Sequence, residues 1–389
     1  MKPIEIAKGI YDVGVTDWNI RDFHGYSTES GTTYNAYLIV DEKIALIDTV
    51  KKEFADQLIE NITRIVDPKK IDYVISNHTE MDHSGGLPRV MHRIGEDKPL
   101  FCSKMGFQSL SRHFPQRWNY YAVDNGESLS LGKRSLTFME TRMLHWPDSM
   151  FSYLAEDKVL ISSDAFGHHW ATSERFDDQV DQGELMRHCA KYYANILLLY
   201  SPLVQKLLAK VQEMGLEIEV ICPDHGLIWR KDPMKIIQAY DRWSKQETAD
   251  KAVVAYGSMW HSTETMAKAV TDGLIDEGYS VKLMNLGVNH RSDVMTEVLD
   301  AKVIAIGSAT LNNGMLPWVA DFMQYMKGLK PMGRTAGAFG SFGWSGEAVK
   351  EINGVLEALK LNVPDEGVRW QYVPDHEALK ACREFGQKL

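Results

Sequence analysis

The feature that most constrains the fold is a strict alternation of apolar strand-like runs and helical patterns over residues 250–389. The strand-like runs are predicted at 252–256, 280–285, 303–307, 335–339 and 368–373, with a helical pattern in each of the gaps. Alternation of this kind predicts βαβ units, and hence a doubly wound parallel sheet in an α/β domain. The boundary is placed near residue 250, which gives a first domain at 1–249 and a second at 250–389.

The first half has a different rhythm. Strand-like runs at 34–40, 43–48 and 71–76 are interrupted by a helical pattern at 53–66. Further strand-like runs cover 129–141 and 151–161, and a long helical pattern covers 182–215. Strands outnumber helices early in this half, which predicts two packed sheets with helices outside them.

Composition excludes several classes of protein. The chain has 43 basic and 53 acidic residues, a formal charge of -10, so it lacks the basic field that binding to a phosphate backbone requires. The four cysteines form no Cys-x-x-Cys pair, which argues against a disulfide scaffold, a zinc ribbon or a built-in four-cysteine iron site. Neither a signal segment nor an 18-residue apolar run is visible, so a cytoplasmic location is expected.

The strongest functional signal directly follows the strand-like run at 71–76. The sequence His78-x-Glu80-x-Asp82-His83 places four potential metal ligands within six residues. Three further candidates, each after a strand-like run and beside a turn, are His145, Asp164 and His225. Seven ligands exceed the needs of one ion, so they predict two metals bridged by a carboxylate, for which we choose Asp164. Imidazoles mixed with hard carboxylates favour iron or manganese over zinc.

Three loops at the predicted carboxyl ends of strands in the second half suggest a second ligand site. The loop at 256–264 opens a helix whose backbone N–H groups can hold a phosphate, and the loops at 308–314 and 340–346 follow later strands. Trp260 and Trp344 lie in these loops, where an aromatic face can stack on a flavin. The predicted flavin-binding residues are Ser258, Met259, Trp260, His261, Ser262, Thr263, Ser308, Thr310, Asn312, Asn313, Gly314, Ser341, Phe342, Gly343, Trp344, Ser345 and Gly346.

The seven candidate ligands, together with the flavodoxin-like second half, resemble the flavodiiron proteins over essentially the whole chain. The resemblance implies a metallo-β-lactamase-like αββα sandwich followed by a flavodoxin-like domain that binds FMN. It also implies that His78, Glu80 and His145 hold the iron nearer the flavin. Asp82, His83 and His225 would hold the other iron, with Asp164 bridging. In the hydrolytic members of the superfamily, which bind zinc, a histidine usually stands at the position of Glu80.

The same resemblance implies an activity. Such an oxidoreductase reduces dioxygen to water and/or nitric oxide to nitrous oxide, with electrons passed from rubredoxin through FMN to the diiron centre. The implied assembly is a head-to-tail homodimer, with a dimer of dimers as a larger form. His24 and one of Tyr192 and Tyr193 are candidates for donating hydrogen bonds at the diiron centre, and Tyr193 is the one chosen.

Three alternatives stay open at this point. One is a dizinc hydrolase of the metallo-β-lactamase superfamily with a flavodoxin-like passenger, against which Glu80 argues. Another is an electron-transfer protein that uses FMN alone, with the metal loops structural. The third is an oxidase of a reduced deazaflavin coenzyme. The preference between dioxygen and nitric oxide is not readable from these residues.

Overall fold

A computed structural model describes residues 2–389, and the chain forms two compact units. The first unit comprises residues up to Phe23, Thr28–Tyr192 and Pro202–Asp241. The second comprises His24–Ser27, Tyr193–Ser201 and Arg242–Leu389. Within the described residues, none of the helices combines the length and the hydropathy needed to span a lipid bilayer.

The strands up to residue 222 are short. They are β1 (Ile4–Ala7), β2 (Ile10–Asp12), β3 (Val15–Asp17), β4 (Asp22–Phe23), β5 (Tyr26–Ser27), β6 (Thr32–Tyr34), β7 (Tyr37–Val40), β8 (Ile44–Ile47), β9 (Tyr73–Ser76), β10 (Pro99–Ser103), β11 (Asn119–Val123), β12 (Ser128–Ser130), β13 (Ser135–Glu140), β14 (Met150–Leu154), β15 (Val159–Ile161) and β16 (Val220–Cys222). The α-helices of this part are α1 (Ala55–Thr63), α2 (Met81–Ser84), α3 (Leu87–Ile94), α4 (Lys104–His113), α5 (Gln182–Tyr192), α6 (Ser201–Glu213) and α7 (Pro233–Ser244).

Two sheets form the first unit. One has seven strands in the order β1-β2-β7-β8-β9-β10-β11, and the other has five in the order β12-β13-β14-β15-β16. Because side chains alternate along a strand, Tyr37 and Ile39 of β7 join the core that β13–β16 share, whereas Leu38 joins the core under α1, α3 and α4. On the five-stranded sheet, Phe151 of β14 contacts Phe166, which packs on Tyr240 of α7. Helices therefore cover the outer face of each sheet, as the αββα prediction requires.

One predicted strand of this unit is broken. The run at 34–40 was expected to be continuous, but β6 ends at Tyr34 and β7 begins at Tyr37. The buried amide of Asn35 donates from Nδ2 to the carbonyls of Pro223 and Gly226, at 2.7 and 3.0 Å. The break thus directs a polar side chain to the loop that carries His225.

The long helix expected at 182–215 is also divided. It consists of α5, a π-helix at Tyr193–Leu197, a 3-10 turn at Leu198–Tyr200, and α6. The change of helical pitch after Tyr192 alters the directions in which successive side chains point. The helix predicted at 53–66 is shorter, because α1 covers only Ala55–Thr63.

The second unit contains one parallel sheet with helices on both faces. Its main strands are β17 (Ala249–Gly257), β18 (Ser280–Asn285), β19 (Ala301–Ser308), β22 (Thr335–Phe342) and β23 (Val368–Gln371), in the order β18-β17-β19-β22-β23. A small hairpin is made by β20 (Thr310–Leu311) and β21 (Gly314–Met315). The helices are α8 (Ser262–Asp276), α9 (Arg291–Val298), α10 (Pro317–Leu329), α11 (Ala348–Ala358) and α12 (His376–Lys388). The predicted doubly wound sheet is confirmed.

The last helix, α12, was not predicted from the sequence. It packs closely on α8, since a Cβ atom at Gly273 would lie 2.1 Å from the Arg383 carbonyl oxygen and one at Gly386 would lie 2.3 Å from that of Val270. The two glycines allow the helix backbones to approach, and Cys382 and Phe385 enter the core beside Val254.

Candidate metal centre and flavin cavity

Four loops at the ends of strands of the first unit bring the seven predicted ligands together. The loop after β9 carries His78 and Glu80 and continues into α2, which carries Asp82 and His83. His145 lies between β13 and β14, Asp164 follows β15, and His225 follows β16. The side chains of His78, His83, Asp164 and His225 are fully buried, and that of Glu80 is 19% exposed. Loops on a rigid pair of sheets thus define one polar site inside the domain.

The first ligand group consists of His78, Glu80, His145 and one oxygen of Asp164. Glu80 Oε2 lies 3.3 Å from His78 Nε2 and 3.2 Å from His145 Nε2. Asp164 Oδ2 lies 3.3 Å from His78 Nε2 and 3.0 Å from His145 Nε2. Two imidazole nitrogens and two carboxylate oxygens therefore converge within the space that one metal ion's ligands occupy.

The second group consists of Asp82, His83 and His225. Asp82 Oδ2 lies 3.1 Å from Nε2 of both His83 and His225. The other oxygen of Asp164, Oδ1, lies 3.2 Å from His83 Nε2 and 3.4 Å from His225 Nε2. Asp164 therefore presents one oxygen to each group, which is the arrangement of a bridging carboxylate. The donor set fits two ions.

The Nδ1 atoms of two ligand histidines, which face away from the cluster, also have hydrogen-bond partners. His78 Nδ1 lies 3.0 Å from Asp148 Oδ2, which in addition accepts a 2.7 Å hydrogen bond from the backbone N–H of Thr79. His225 Nδ1 lies 2.6 Å from the Thr33 carbonyl oxygen. Donation from Nδ1 leaves the lone pair on Nε2, which is the atom directed into the cluster. Sequence reasoning did not assign Asp148 or Thr33, although Asp148 lies only three residues beyond His145.

The electrostatics of the cluster fit a cationic ligand. Burial alone raises the pKa of Asp164, but His83 and His145 outweigh it and hold that pKa well below its ordinary value. Burial likewise opposes ionisation of Asp82, and His83 and His225 hold its pKa well below the usual range. The pKa of His78 is raised well above its ordinary value by Asp148 and Glu80, against the effect of burial. Positive charge beside these carboxylates therefore stabilises their ionised form, and bound metal ions would supply such charge.

The predicted catalytic residues lie in the second unit. His24 belongs to the segment His24–Ser27 and has a left-handed backbone, with φ of 54°. The hydroxyl of Tyr193 lies 3.1 Å from Ser201 Oγ, and its ring centroid lies 5.4 Å from that of Trp243. These contacts lie within the second unit, and the role of Tyr193 at the metal centre stays a prediction.

Tyr192, the alternative left open by the sequence, packs beside the ligands. Its ring centroid lies 6.3 Å from that of His225 and 5.2 Å from that of His169. His169, which sequence reasoning missed, lies 4.6 Å from the His225 ring, and its Nδ1 is 2.7 Å from Thr32 Oγ1. A histidine outside any dense motif offers no sequence signal of this position. Tyr192 is therefore a candidate near the metal ligands, as the sequence analysis left open, and Tyr193 stays an untested prediction.

A cavity of about 640 Å³ opens at the carboxyl edge of the parallel sheet in the second unit. Most of the predicted flavin-binding residues line it: Ser258, Met259, Trp260, Ser262, Thr310, Asn312, Asn313, Ser341, Phe342, Gly343, Trp344 and Ser345. It lies where doubly wound sheets bind ligands, beside the first βα turn and the strand next to it. The side chains of Trp260 and Trp344 are 86% and 85% exposed, so two indole rings stand open to a ligand.

The remaining predicted residues lie on the same loops but do not line the cavity. They are His261, Thr263, Ser308, Gly314 and Gly346. Thr263 is buried, and its hydroxyl lies 2.8 Å from that of Ser341. Ser308 accepts a hydrogen bond from the backbone N–H of Leu316, which fixes the start of α10. Four further lining residues were missed by the sequence analysis, namely Ala309, Leu311, Tyr372 and Val373.

Comparison with known families covers both halves. A family model described as "ODP family beta lactamase" matches residues 32–226, and one described as "Flavodoxin" matches residues 254–386. These matches confirm the order of folds expected from the sequence.

Whole-chain relatives give the same result. A protein of Moorella thermoacetica named nitric oxide reductase is 50% identical over 100% of this chain and 98% of its own length. A rubredoxin-oxygen oxidoreductase of Megalodesulfovibrio gigas is 45% identical over 100% of this chain and 98% of its own. The crystal structure of the flavodiiron protein from Giardia intestinalis is 37% identical and superposes with a TM-score of 0.97 over 100% of this chain and 96% of its own. The chain therefore belongs to the flavodiiron protein family.

Proposed function

We propose that this chain is an oxidoreductase that reduces dioxygen to water and nitric oxide to nitrous oxide, with electrons passed from FMN to a diiron centre. The observation that carries this proposal is Asp164, which presents one carboxylate oxygen to each of two ligand groups in a chain that also has a flavin-type cavity. The names of the Moorella and Megalodesulfovibrio relatives support both gases as substrates.

In this proposal His78, Glu80 and His145 hold one iron, Asp82, His83 and His225 hold the other, and Asp164 bridges them. When bound, two ferrous ions would supply two electrons, and reduced FMN would supply two more. Together these match the four electrons that conversion of dioxygen to water requires.

The chain itself positions the metal ligands and shields them from bulk water. Asp148 and the Thr33 carbonyl orient the rings of His78 and His225, so that each Nε2 stays directed at the centre. Burial of the ligand side chains excludes bulk water and strengthens each electrostatic contact inside the site. Glu80 adds an anionic oxygen, which favours iron over zinc in the first ligand group. Tyr192 and His24 are the proposed hydrogen-bond donors to the reacting gas.

The second unit holds FMN in this account. The hydroxyls of Ser258 and Ser262 and the N-terminal amides of α8 suit the phosphate, since backbone N–H groups at a helix start attract anions. Trp260 and Trp344 suit the isoalloxazine ring, because large exposed indoles gain by stacking on a planar ligand.

We also propose an electron donor, domain bounds, an assembly and a location for this chain. The electron donor is rubredoxin, as the name of the Megalodesulfovibrio relative suggests, supplied as a separate protein. The domains are 1–249 and 250–389, and the assembly is a head-to-tail homodimer, with a dimer of dimers as a larger form. The four free cysteines, all buried, support a reducing cytoplasm as the location.

Elemental analysis and a visible spectrum of the purified protein test the proposal. We expect about two iron atoms and one FMN per chain after anoxic preparation, in line with the two ligand groups and the one cavity. Two zinc ions without iron would instead support the hydrolase alternative. Iron-free yellow protein that passes electrons onward and ignores both gases would support the electron-transfer alternative.

A further inference from the structure

Tyr372 lines the cavity, although the sequence analysis assigned only the phosphate loop, two further loops and their tryptophans to it. It follows β23, the fifth strand of the parallel sheet, and it lines the cavity together with Val373. The side chains of the two residues are 63% and 76% exposed. Large apolar side chains held in the open beside a cavity indicate a surface that a ligand covers.

The backbone holds the Tyr372 ring in place. Its φ is 60°, a left-handed conformation that is rare for an aromatic residue and persists only where the surroundings enforce it. The Tyr372 N–H donates to the Phe342 carbonyl at 2.7 Å, and Gln371 Nε2 donates to the Gly343 carbonyl at 2.7 Å. Two hydrogen bonds therefore join the end of β23 to the loop that carries Trp344.

The Tyr372 ring also lies directly against that loop. A Cβ atom added at Gly343 would stand 3.6 Å from Tyr372 Cε1, so the ring edge lies on the side of Gly343 from which a side chain would project. The hydroxyl of Ser341 on the same loop meets Thr263 at the start of α8. The segment that leads into Trp344 thus contacts both the start of α8 and the end of β23.

We propose that Tyr372 forms a third aromatic wall of the cavity and contacts the isoalloxazine ring of bound FMN. This inference rests on the proposed function, because it assigns a further binding residue to the same cofactor. The cavity has hydroxyls from Ser258 and Ser262 in one loop and exposed rings from three loops. These groups complement a planar aromatic ligand that carries a phosphate. Tyr372 belongs to the part of the cavity that contacts the ring and not the phosphate.

The test compares two flavins that differ only in the phosphate. Apoprotein is titrated with FMN and with riboflavin, following quenching of flavin fluorescence. Tyr372→Asn removes the ring yet suits the left-handed backbone, so the fold is kept. We expect about tenfold weaker binding of both flavins, the loss that one aromatic contact gives. Tyr372→Phe should bind both flavins as the unchanged protein does.

Two further variants make the result specific. Ser262→Ala should weaken FMN binding more than riboflavin binding, because it changes the phosphate loop. Val288→Ala, at an exposed position that does not line the cavity, should leave both affinities unchanged. Unaltered binding of both flavins by Tyr372→Asn, or a loss for FMN alone, would overturn the assignment. If the unchanged protein binds neither flavin, the proposed function itself fails, which is a separate outcome.

Discussion

At the scale of single residues, Asp164 decides whether the ligands form one site or two. Its two oxygens lie on different ligand groups, each about 3 Å from two imidazole nitrogens. Glu80 then distinguishes the first group, because it places a carboxylate between His78 and His145. The metal preference of the centre therefore depends on a few carboxylate side chains, and replacing one of them should change the metal content measurably.

Replacing Glu80 with histidine should change the metal that the protein binds. The variant exchanges an anionic oxygen for a neutral nitrogen, which makes the first group more suitable for zinc. We expect the iron content to fall and zinc to appear when both metals are offered, as measured by elemental analysis. Glu96→His, at an exposed position, is the matched control and should keep its iron. Unchanged iron content and turnover in Glu80→His would contradict the role given to Glu80.

Replacing Asp148 with asparagine should weaken metal retention. The substitution keeps the shape of the side chain but removes the charge that faces His78 Nδ1 and the Thr79 N–H. Loss of such an outer partner typically costs about 10- to 100-fold in metal affinity. The measurement is iron release to a competing chelator. Asp157→Asn, whose side chain pairs with Arg134 instead, is the control. Equal release rates for all three proteins would show that Asp148 does not support the ligand.

The pair between Glu29 and Lys191 should make stability depend on pH. Burial opposes ionisation of Glu29, but Lys191 and Arg187 outweigh it and lower its pKa to about 2. A carboxyl whose pKa is depressed on folding stabilises the protein above its ordinary pKa of 4.5, and that contribution is lost as the pH falls toward 2. Glu29→Gln should therefore cost about 1 kcal/mol at pH 7, and progressively less below about pH 4.5.

Denaturant unfolding at several pH values measures the effect. Glu213→Gln, at an exposed position in α6, is the comparison and should show little change at any pH. A difference between Glu29→Gln and the unchanged protein that stays constant from pH 7 to pH 3 would be inconsistent with the lowered pKa.

At the residue scale, the sequence marks a candidate ligand where several ligand types lie together or where one follows a strand beside a turn. The run from His78 to His83 was recognisable because several ligand types follow one strand. His169 and Thr33 reach the centre only through folding, so nothing in their neighbourhood in the sequence marks them. Tyr192 and Tyr193 were indistinguishable by sequence, since the π-helix that follows Tyr192 sets their separate directions.

At the scale of elements, a glycine in the second unit permits a close backbone contact between two neighbouring strands. Gly340 lies in β22, and a Cβ atom there would stand 1.9 Å from the carbonyl oxygen of Ser308 at the end of β19. That approach brings together the two loops that line the cavity. Strand periodicity predicted both strands, but it did not mark the close backbone contact at Gly340.

Gly340→Ala should destabilise the second unit by about 2 kcal/mol, a typical cost of overpacking. Gly354→Ala is the matched control, because Gly354 is an exposed position in α11 with no atom within 4 Å of an added Cβ. There the substitution should stabilise the helix by up to about 1 kcal/mol. Thermal unfolding of the two variants measures the contrast, and equal melting temperatures would refute the close approach.

Element boundaries were the weaker part of the sequence-based fold. The alternation after residue 250 predicted all five main strands of the parallel sheet, because each is an apolar run between turns. The run at 34–40 was mistaken for one strand because its apolar pattern continues through Asn35, whose side chain is used by the His225 loop. The helix α12 was missed because its buried face is short of large aliphatic residues, with Ala378, Cys382 and Gly386 among its buried positions.

At the scale of the whole molecule, the account requires that the metal centre and the flavin exchange electrons. The proposed head-to-tail dimer provides a test of how they do so. Asp164→Ala removes the bridge, and Ser262→Asp places a negative charge against the flavin phosphate. Each variant alone should be inactive.

Co-expression of the two variants should recover activity if the flavin of one subunit serves the metals of its partner. Random pairing makes half of the dimers mixed, and each mixed dimer has one intact pair of sites, so we expect about a quarter of the unchanged turnover. Each variant expressed alone is the control. A co-expressed preparation that contains mixed dimers but shows no activity would exclude transfer between subunits.

The most direct test of the central claim is a measurement of the product after a single reaction with dioxygen. The protein is reduced without oxygen, which should consume about four electron equivalents per chain, and it is then mixed rapidly with dioxygen. The account predicts that the flavin is reoxidised in the same reaction and that no hydrogen peroxide is released. Stoichiometric peroxide, or reduced flavin that persists in the presence of dioxygen, would contradict it.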